Sequence, residues 1–224
     1  MLSAHLKFSS EVYLQYMQNV PVDPNGAFSV QNVLWQFPTN ALANIGEGRN
    51  YGLEMSLQRF TKNGFYFLIS GALFTSEYKA GDGVWRSTQY DQKFSYNILG
   101  GKEFELKPKK KQNKKRLLGL NFNVRHSGGT WQHRVDEVQS AMYGWTQYDY
   151  ANPYSEQQPS LLNLDFTLSL KGIRKNITGE FSIQIKNLLN TRTVIRHEWD
   201  ERIEEVKEIK DYGVIPVIGY KMWF

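Results

Sequence analysis

Val214-Ile-Pro-Val-Ile-Gly-Tyr-Lys-Met-Trp-Phe224, the last eleven residues of the chain, carry the pattern on which the fold turns. In steps of two from the carboxyl end, Phe224, Met222, Tyr220, Ile218, Pro216 and Val214 are all apolar or aromatic. Lys221 and Gly219 fall on the opposite face of a strand, whose side chains alternate with a period of two. The alternation is imperfect, because Trp223, Val217 and Ile215 share the face of Lys221. An ordinary core strand accounts for this stretch, and so does the closing strand of a membrane barrel with a terminal aromatic turned towards hydrocarbon. The rest of the chain has to separate them.

At 224 residues the chain is long enough for one large all-β domain or two small ones. Aromatic residues make up 14%, with 13 Tyr and 13 Phe, which favours strands. No run of 18 apolar residues exists, so no transmembrane helix is encoded. A membrane barrel stays open, since only alternate residues of its strands meet lipid. There is no cysteine, hence no disulfide framework and no thiolate metal site. The net charge of +5 is local: Lys107, Lys109, Lys110, Lys111, Lys114, Lys115 and Arg116 crowd residues 107–116. Such a run reads as a solvated turn, and no nucleic-acid partner is expected. Met1-Leu-Ser-Ala-His-Leu-Lys-Phe8 lacks the basic start and long apolar core of a signal peptide. The expectation is therefore that a barrel protein of this sequence has its beginning elsewhere.

Residues 6–19 alternate as a first strand, followed by a long Pro-, Asn- and Gly-rich connection over 20–47 that carries Phe28, Val33, Trp35 and Phe37. Tyr51, Leu53, Met55 and Leu57 oppose Asn50, Gly52, Glu54, Ser56 and Gln58 in a second strand. Asn63-Gly64 is the strongest short hairpin signal available and leads into a third strand over 65–78. A turn at Ala80-Gly-Asp-Gly83 precedes a fourth strand, roughly 86–104, and the lysine-rich turn precedes a fifth, with Leu118, Leu120, Phe122 and Val124 on one face. Residues 127–159 read as irregular and aromatic. Leu162, Leu164, Phe166, Leu168 and Leu170 then oppose Asn163, Asp165, Thr167, Ser169 and Lys171 in a sixth strand. The seventh begins at Ile177 and has room to extend through Asn187-Leu-Leu-Asn190 to about Ile195. A charged segment over 196–211 leads into the eighth.

The connections alternate between long and short, as external loops and periplasmic turns do in outer-membrane barrels. Counted back from a periplasmic carboxyl end, the turns at Thr61, Lys107 and Gly172 are periplasmic and the long connections lie outside. Strands of 12 or more residues exceed the usual five or six but suit the roughly 9–11 tilted residues that cross a bilayer.

Gly46-Glu-Gly-Arg-Asn-Tyr-Gly-Leu-Glu54, followed by Gly64-Phe-Tyr-Phe-Leu68, Glu77-Tyr-Lys79 and Asp82-Gly-Val-Trp-Arg86, resembles TonB-dependent outer-membrane receptors. Gly100-Gly-Lys-Glu-Phe104, Ser127-Gly-Gly129, Leu164-Asp165 and Asn187-Leu-Leu-Asn190 continue the likeness in order. The nearest branch is the one with a carboxypeptidase-regulatory-like domain ahead of the plug. The likeness departs at residues 130–141, where Val135 rather than proline precedes Asp136. The resemblance implies a 22-stranded antiparallel transmembrane barrel of which residues 1–224 are about the last eight strands, the plug and first strands being absent. It implies uptake of a metal chelate, glycan or peptide, with outer-membrane lipid, the plug, the remaining strands and the TonB complex as partners. The tail also resembles the signal read by barrel-assembly machinery: Gly219, Tyr220, Met222 and Phe224 stand in its places, although Val217 replaces the polar residue usual before the glycine. Two open edges would leave backbone groups unpaired in lipid, so these strands are not expected to form a stable transporter alone.

Catalytic chemistry is not legible. Gly46-Glu-Gly48 precedes a strand pattern and no helix, unlike a nucleotide fingerprint. His5, His126, His133 and His197 are too dispersed for local metal spacing, although His126 and His133 flank one loop base. Glu201, Glu204, Glu205 and Glu208 read as a solvated loop, or as a short amphipathic helix with Trp199, Ile203 and Val206. No enzyme and no cofactor is expected. The candidate ligand contacts are the loop aromatics Trp131, Trp145, Tyr148, Tyr150 and Tyr154, which can stack on a sugar or siderophore or form an interface girdle or pack loops together. Asn121, Asn123, Arg125, Asn163 and Asp165 are expected to line the lumen. Two other architectures remain: a complete eight-stranded barrel with a structural or adhesive role, and a soluble β-sandwich that binds carbohydrate.

Overall fold

The computed structural model describes residues 3–32, 41–107 and 115–224. Its strands are β1 (Leu6–Val22), β2 (Ala43–Lys62), β3 (Phe65–Lys79), β4 (Trp85–Ser87), β5 (Phe94–Leu106), β6 (Lys115–Ser127), β7 (Trp131–Gln132), β8 (Glu156–Gln157), β9 (Leu161–Ile173), β10 (Thr178–Lys186), β11 (Val194–Asp200), β12 (Glu205–Lys210) and β13 (Ile215–Trp223). A short α-helix, α1 (Glu137–Tyr143), lies between β7 and β8. One sheet runs in the order β1-β2-β3-β5-β6-β9-β10-β13, with β4 appended to β3 and every described pairing antiparallel. β7–β8 and β11–β12 are separate two-stranded ribbons.

Register turns eight separate alternations into two continuous faces, because residues directly opposite in an antiparallel pair share a face. One row reads Phe67, Gly100, Phe122, Phe166, Ile185, Pro216 across six strands. The Phe122 and Phe166 rings in it are 5.0 Å apart. On the other face, Ser9, Ser56, Ser70, Asn97, Arg125 and Asn163 form a polar row. Slipping one strand by a single residue would put its apolar set on the polar side, so the pattern itself holds the register. Along β2 the first face is apolar from Tyr51 to Leu57 and ends in Arg49 and Arg59. Ten residues at roughly 3.3 Å, tilted about 40°, project to about 25 Å, the height of the apolar band of a membrane barrel.

β1 and β13 are the two ends of the sheet and do not pair with each other, so the barrel is not closed within this chain. Among the described residues no second layer covers the apolar face. Leu162, Leu168, Leu170, Phe181 and Ile183 are exposed, while Leu164, Phe166 and Ile185 are half-buried among their neighbours. A sandwich would have buried this face under another sheet. The buried groups gather instead above one end of the sheet, where Val20, Val22, Tyr78 and Ala80 pack together. Gly46 and Gly48 lie within β2, which disposes of any phosphate-loop geometry there. A Cβ at Gly46 would overlap the buried Val22 side chain, and one at Gly48 would overlap Gln31, so these glycines let the end of β1 and the following segment fold over β2.

Several local expectations are corrected. The fourth strand is not continuous over 86–104: it splits into β4 and β5 around Asp91, whose carboxylate is fully buried. Asp91 accepts from the Ser76 amide at 2.9 Å and the Ser87 hydroxyl at 2.7 Å, and Lys93 adopts a positive φ as the chain leaves this knot. The seventh strand stops at Lys186, because Asn187 and Asn190 take left-handed backbone angles that end the ladder. Residues 194–210 are neither a loop nor a helix but a hairpin, with Trp199 opposite Val206 and a turn closed by the Ile203 amide on the Asp200 carbonyl. Lys115 and Arg116 open β6 rather than a turn, and Lys109, Lys110, Lys111 and Lys114 lie outside the described residues, as do Val33, Trp35 and Phe37.

Candidate functional site

All the long connections, 23–42, 80–93, 128–160 and 187–214, leave the same end of the sheet, and the short ones leave the other. The connection over 128–160 is more ordered than its sequence suggested. Trp131 and Gln132 pair with Gln157 and Glu156, closing its base. Asp136 caps α1 by accepting from the Gln139 amide at 2.9 Å, and Gly144 ends it with φ 76°. That pair of signals, an aspartate before and a glycine after Val138 and Met142 at helical spacing, was present in the sequence.

The five loop aromatics do not form one site. The Trp131 indole donates to the Asp91 carbonyl at 2.9 Å and so ties two connections together. Tyr148, Tyr150 and Tyr154 surround His133, with ring centroids 6.3, 5.1 and 4.4 Å from it. Tyr154 donates to the Asn32 carbonyl at 2.8 Å. Burial pushes its hydroxyl up to about 12. Burial also raises Tyr148, with Glu198 adding to the effect, and lowers His133 against the opposing pull of Asp149. Such a cluster holds the loop; its rings are largely engaged with one another.

Trp145 stands apart and is 64% exposed. It shares a hollow with Trp199 on β11, in the segment for which the sequence leaves a solvated loop or an amphipathic helix open. Hydrogen bonds between the two hold the hairpin beside this loop. The Trp199 amide donates to Thr146 Oγ1 at 2.9 Å, Gln132 Nε2 to the Ile195 carbonyl at 2.5 Å, and Tyr148 to the His197 carbonyl at 3.4 Å. His126 is far from this arrangement in role: it packs on Phe94, 5.0 Å away, on the apolar face. His197 faces Glu156 at 3.6 Å. Among the described residues no group of three or more His, Asp or Glu side chains is arranged to hold a metal ion.

The polar candidates Asn121, Asn123, Arg125, Asn163 and Asp165 share the polar face of the sheet, Asn123 opposite Asp165 and Arg125 opposite Asn163. Asp165 is nearly buried, with Arg125 Nη2 at 3.1 Å and the Asn187 amide at 3.0 Å. The Tyr66 hydroxyl donates to Asn121. It reaches across β5 because Gly101 stands between them, where a Cβ would lie 2.6 Å from Tyr66 Oη. Tyr66 and Asn187 stand in the sequence only within the family-like segments 64–68 and 187–190; the bonds they make were not legible there, because each partner lies on a different strand.

The family model described as TonB dependent receptor-like, beta-barrel matches residues 5–188. No curated protein and no solved structure matches the chain. The members of that family are receptors and transporters rather than enzymes; they reside in the Gram-negative outer membrane, with a plug domain and the TonB system as partners. The match spans most of an open antiparallel sheet that is apolar on one face and polar on the other, and the chain accordingly belongs to the TonB-dependent receptor-like β-barrel family.

Proposed function

We propose that residues 1–224 are the carboxyl-terminal part, about the last eight strands, of a 22-stranded outer-membrane receptor that binds a nutrient outside the cell and imports it. The plug and the earlier strands would lie outside this segment, and a carboxypeptidase-regulatory-like domain would precede the plug. The nutrient class is a metal chelate, glycan or peptide, received by the loop end of the sheet. Asn121, Asn123, Arg125, Asn163 and Asp165 would face the lumen and the plug. Gly219, Tyr220, Met222 and Phe224 would be read by barrel-assembly machinery, leaving the carboxyl end in the periplasm. The observation that carries the reading is the open sheet itself: among the described residues both β1 and β13 present unpaired edges beside a continuous apolar face. Edges of this kind are tolerated in lipid only when further strands close them, which favours a larger barrel over a complete eight-stranded one.

Topology provides the test. The chain contains no cysteine, so single cysteines can be placed at Ala141 and Lys175, both exposed and at opposite ends of the sheet. In the full-length protein, with any cysteine elsewhere replaced by serine, a membrane-impermeant maleimide should label position 141 on intact cells. Position 175 should react only after the outer membrane is opened. The reverse pattern, or labelling of both sites on intact cells, would exclude the proposed orientation.

A further inference from the structure

The hollow between Trp145 and Trp199 has features that the receptor reading does not by itself require. It is about 420 Å³, within the roughly 300–1,000 Å³ of small-ligand sites. Trp145 presents an indole that is 64% exposed on the rim. An exposed indole that shares a hollow with a second tryptophan is a platform for an apolar ring face, and its cost in water is recovered when something covers it. Around this platform stand Asp200, Glu201, Arg202 and Lys207. Asp200 and Arg202 are paired at 3.2 Å, and Glu201 Oε1 would lie 3.1 Å from a Cβ placed on Gly144, so its carboxylate is drawn in over the end of α1. Glu198, also on the wall, is turned towards Arg196 at 2.5 Å.

Charge decides between ligand classes. The two carboxylates and two cations at the rim balance, and the third carboxylate has its own arginine. A site for an anionic metal chelate would carry a clear excess of positive charge to offset desolvation of the ligand. A balanced ring of donors and acceptors around an aromatic floor suits a neutral ligand with one apolar face and many hydroxyls. Resting on the receptor reading, we infer that the hollow formed by Trp145 and Trp199 at the junction of two loops is a subsite for a neutral sugar ring, stacked on Trp145 with its hydroxyls bonded to Asp200, Glu201 and Arg202. The Thr146 hydroxyl is a positioning group, since its bond to the Trp199 amide holds β11 against the loop.

The test uses the full-length receptor purified from outer membranes, with heat-modifiable gel mobility confirming that each variant is folded. Neutral oligomers of glucose, xylose and mannose, and a ferric catecholate, are titrated while tryptophan emission is followed. One of the neutral oligomers should bind and shift the emission. Trp145→Ala should weaken that binding about tenfold, Trp145→Phe should retain most of it, and Val138→Ala, on an exposed helix residue outside the hollow, should leave it unchanged. Absence of binding by every neutral oligomer to folded receptor overturns the inference and leaves the receptor reading standing. Unchanged binding by Trp145→Ala overturns it equally, as does a response to the ferric catecholate alone. Failure of the protein to reach the outer membrane removes the receptor reading and this subsite with it.

Discussion

The carboxylate of Asp165 accepts the backbone N–H of Asn187 at 3.0 Å, joining two segments that are 22 residues apart and that both carry the family likeness. Asn187 in turn donates to the Thr191 carbonyl at 2.8 Å and accepts from the Thr191 amide at 3.0 Å, and the neighbouring Leu188 amide reaches the Leu164 carbonyl at 2.7 Å. A strand residue thus fixes the point at which the last long connection leaves the sheet. Arg125 sits at 3.1 Å on the same carboxylate but is half exposed.

Unequal effects are expected from the two sides of this cluster. Asp165→Ala strands a backbone N–H and a guanidinium and should cost about 2–3 kcal/mol. Arg125→Ala leaves the carboxylate with its backbone donor and removes only a half-exposed, solvent-screened guanidinium, so it should cost under about 1 kcal/mol. Urea titration of the folded full-length barrel measures the ratio, and equal losses would mean that the arginine, rather than the amide, is the main partner.

A second expectation concerns Gly101. A Cβ there would overlap Asn121 Oδ1 and lie 2.6 Å from the Tyr66 hydroxyl, so it must break the bond between them, which Tyr66 holds in place. Gly101→Ala should therefore destabilise by about 1–2 kcal/mol, and by clearly less once Tyr66 is alanine. A double-mutant cycle with a coupling of about 1 kcal/mol is the expected outcome; strict additivity would show that the two side chains do not compete for the space.

The tyrosine cluster should respond to pH through His133, whose proton affinity is lowered by burial. The unfolded loop takes up a proton near its ordinary value of 6.5, while the folded loop resists it. Stability from this site is therefore complete above about pH 6.5 and declines as pH falls from there to the lower folded value, below which the loss is constant. Hydrogen-exchange protection factors over residues 133–154, with the pH dependence of intrinsic exchange divided out, should be lower at pH 5 than at pH 7.5, and His133→Gln should flatten the difference. An unchanged difference in that variant would assign the pH response to another group.

Assembly should depend on the outward tail. Phe224 is 95% exposed and continues the face of Met222, Tyr220 and Ile218. Phe224→Ala in the full-length protein should lower the folded yield in the outer membrane while assembly factors are limiting, and Lys221→Ala, on the other face, should lower it less. Heat-modifiable mobility reads the folded fraction, and equal yields for wild type and Phe224→Ala would dismiss the tail as a recognition signal.

What the amino-acid sequence determined by itself is the alternation of the main strands, the two faces it makes and the tight turn after β2. These follow from local geometry: side chains alternate along every strand, and Asn63-Gly64, with φ of 55° and 73°, meets the backbone demand of a tight hairpin unaided. What only the tertiary structure decided is how the connections are built. Trp199, Ile203 and Val206 fit one helical face, yet Trp199 and Val206 also fall opposite each other in a hairpin, and contacts with Thr146, Gln132 and Tyr148 accompany the second arrangement. The break at Asp91 likewise depends on Ser76, on another strand. Alternation is a property of neighbours in the chain, whereas a loop takes its shape from partners distant in sequence, and no periodicity records who those partners are.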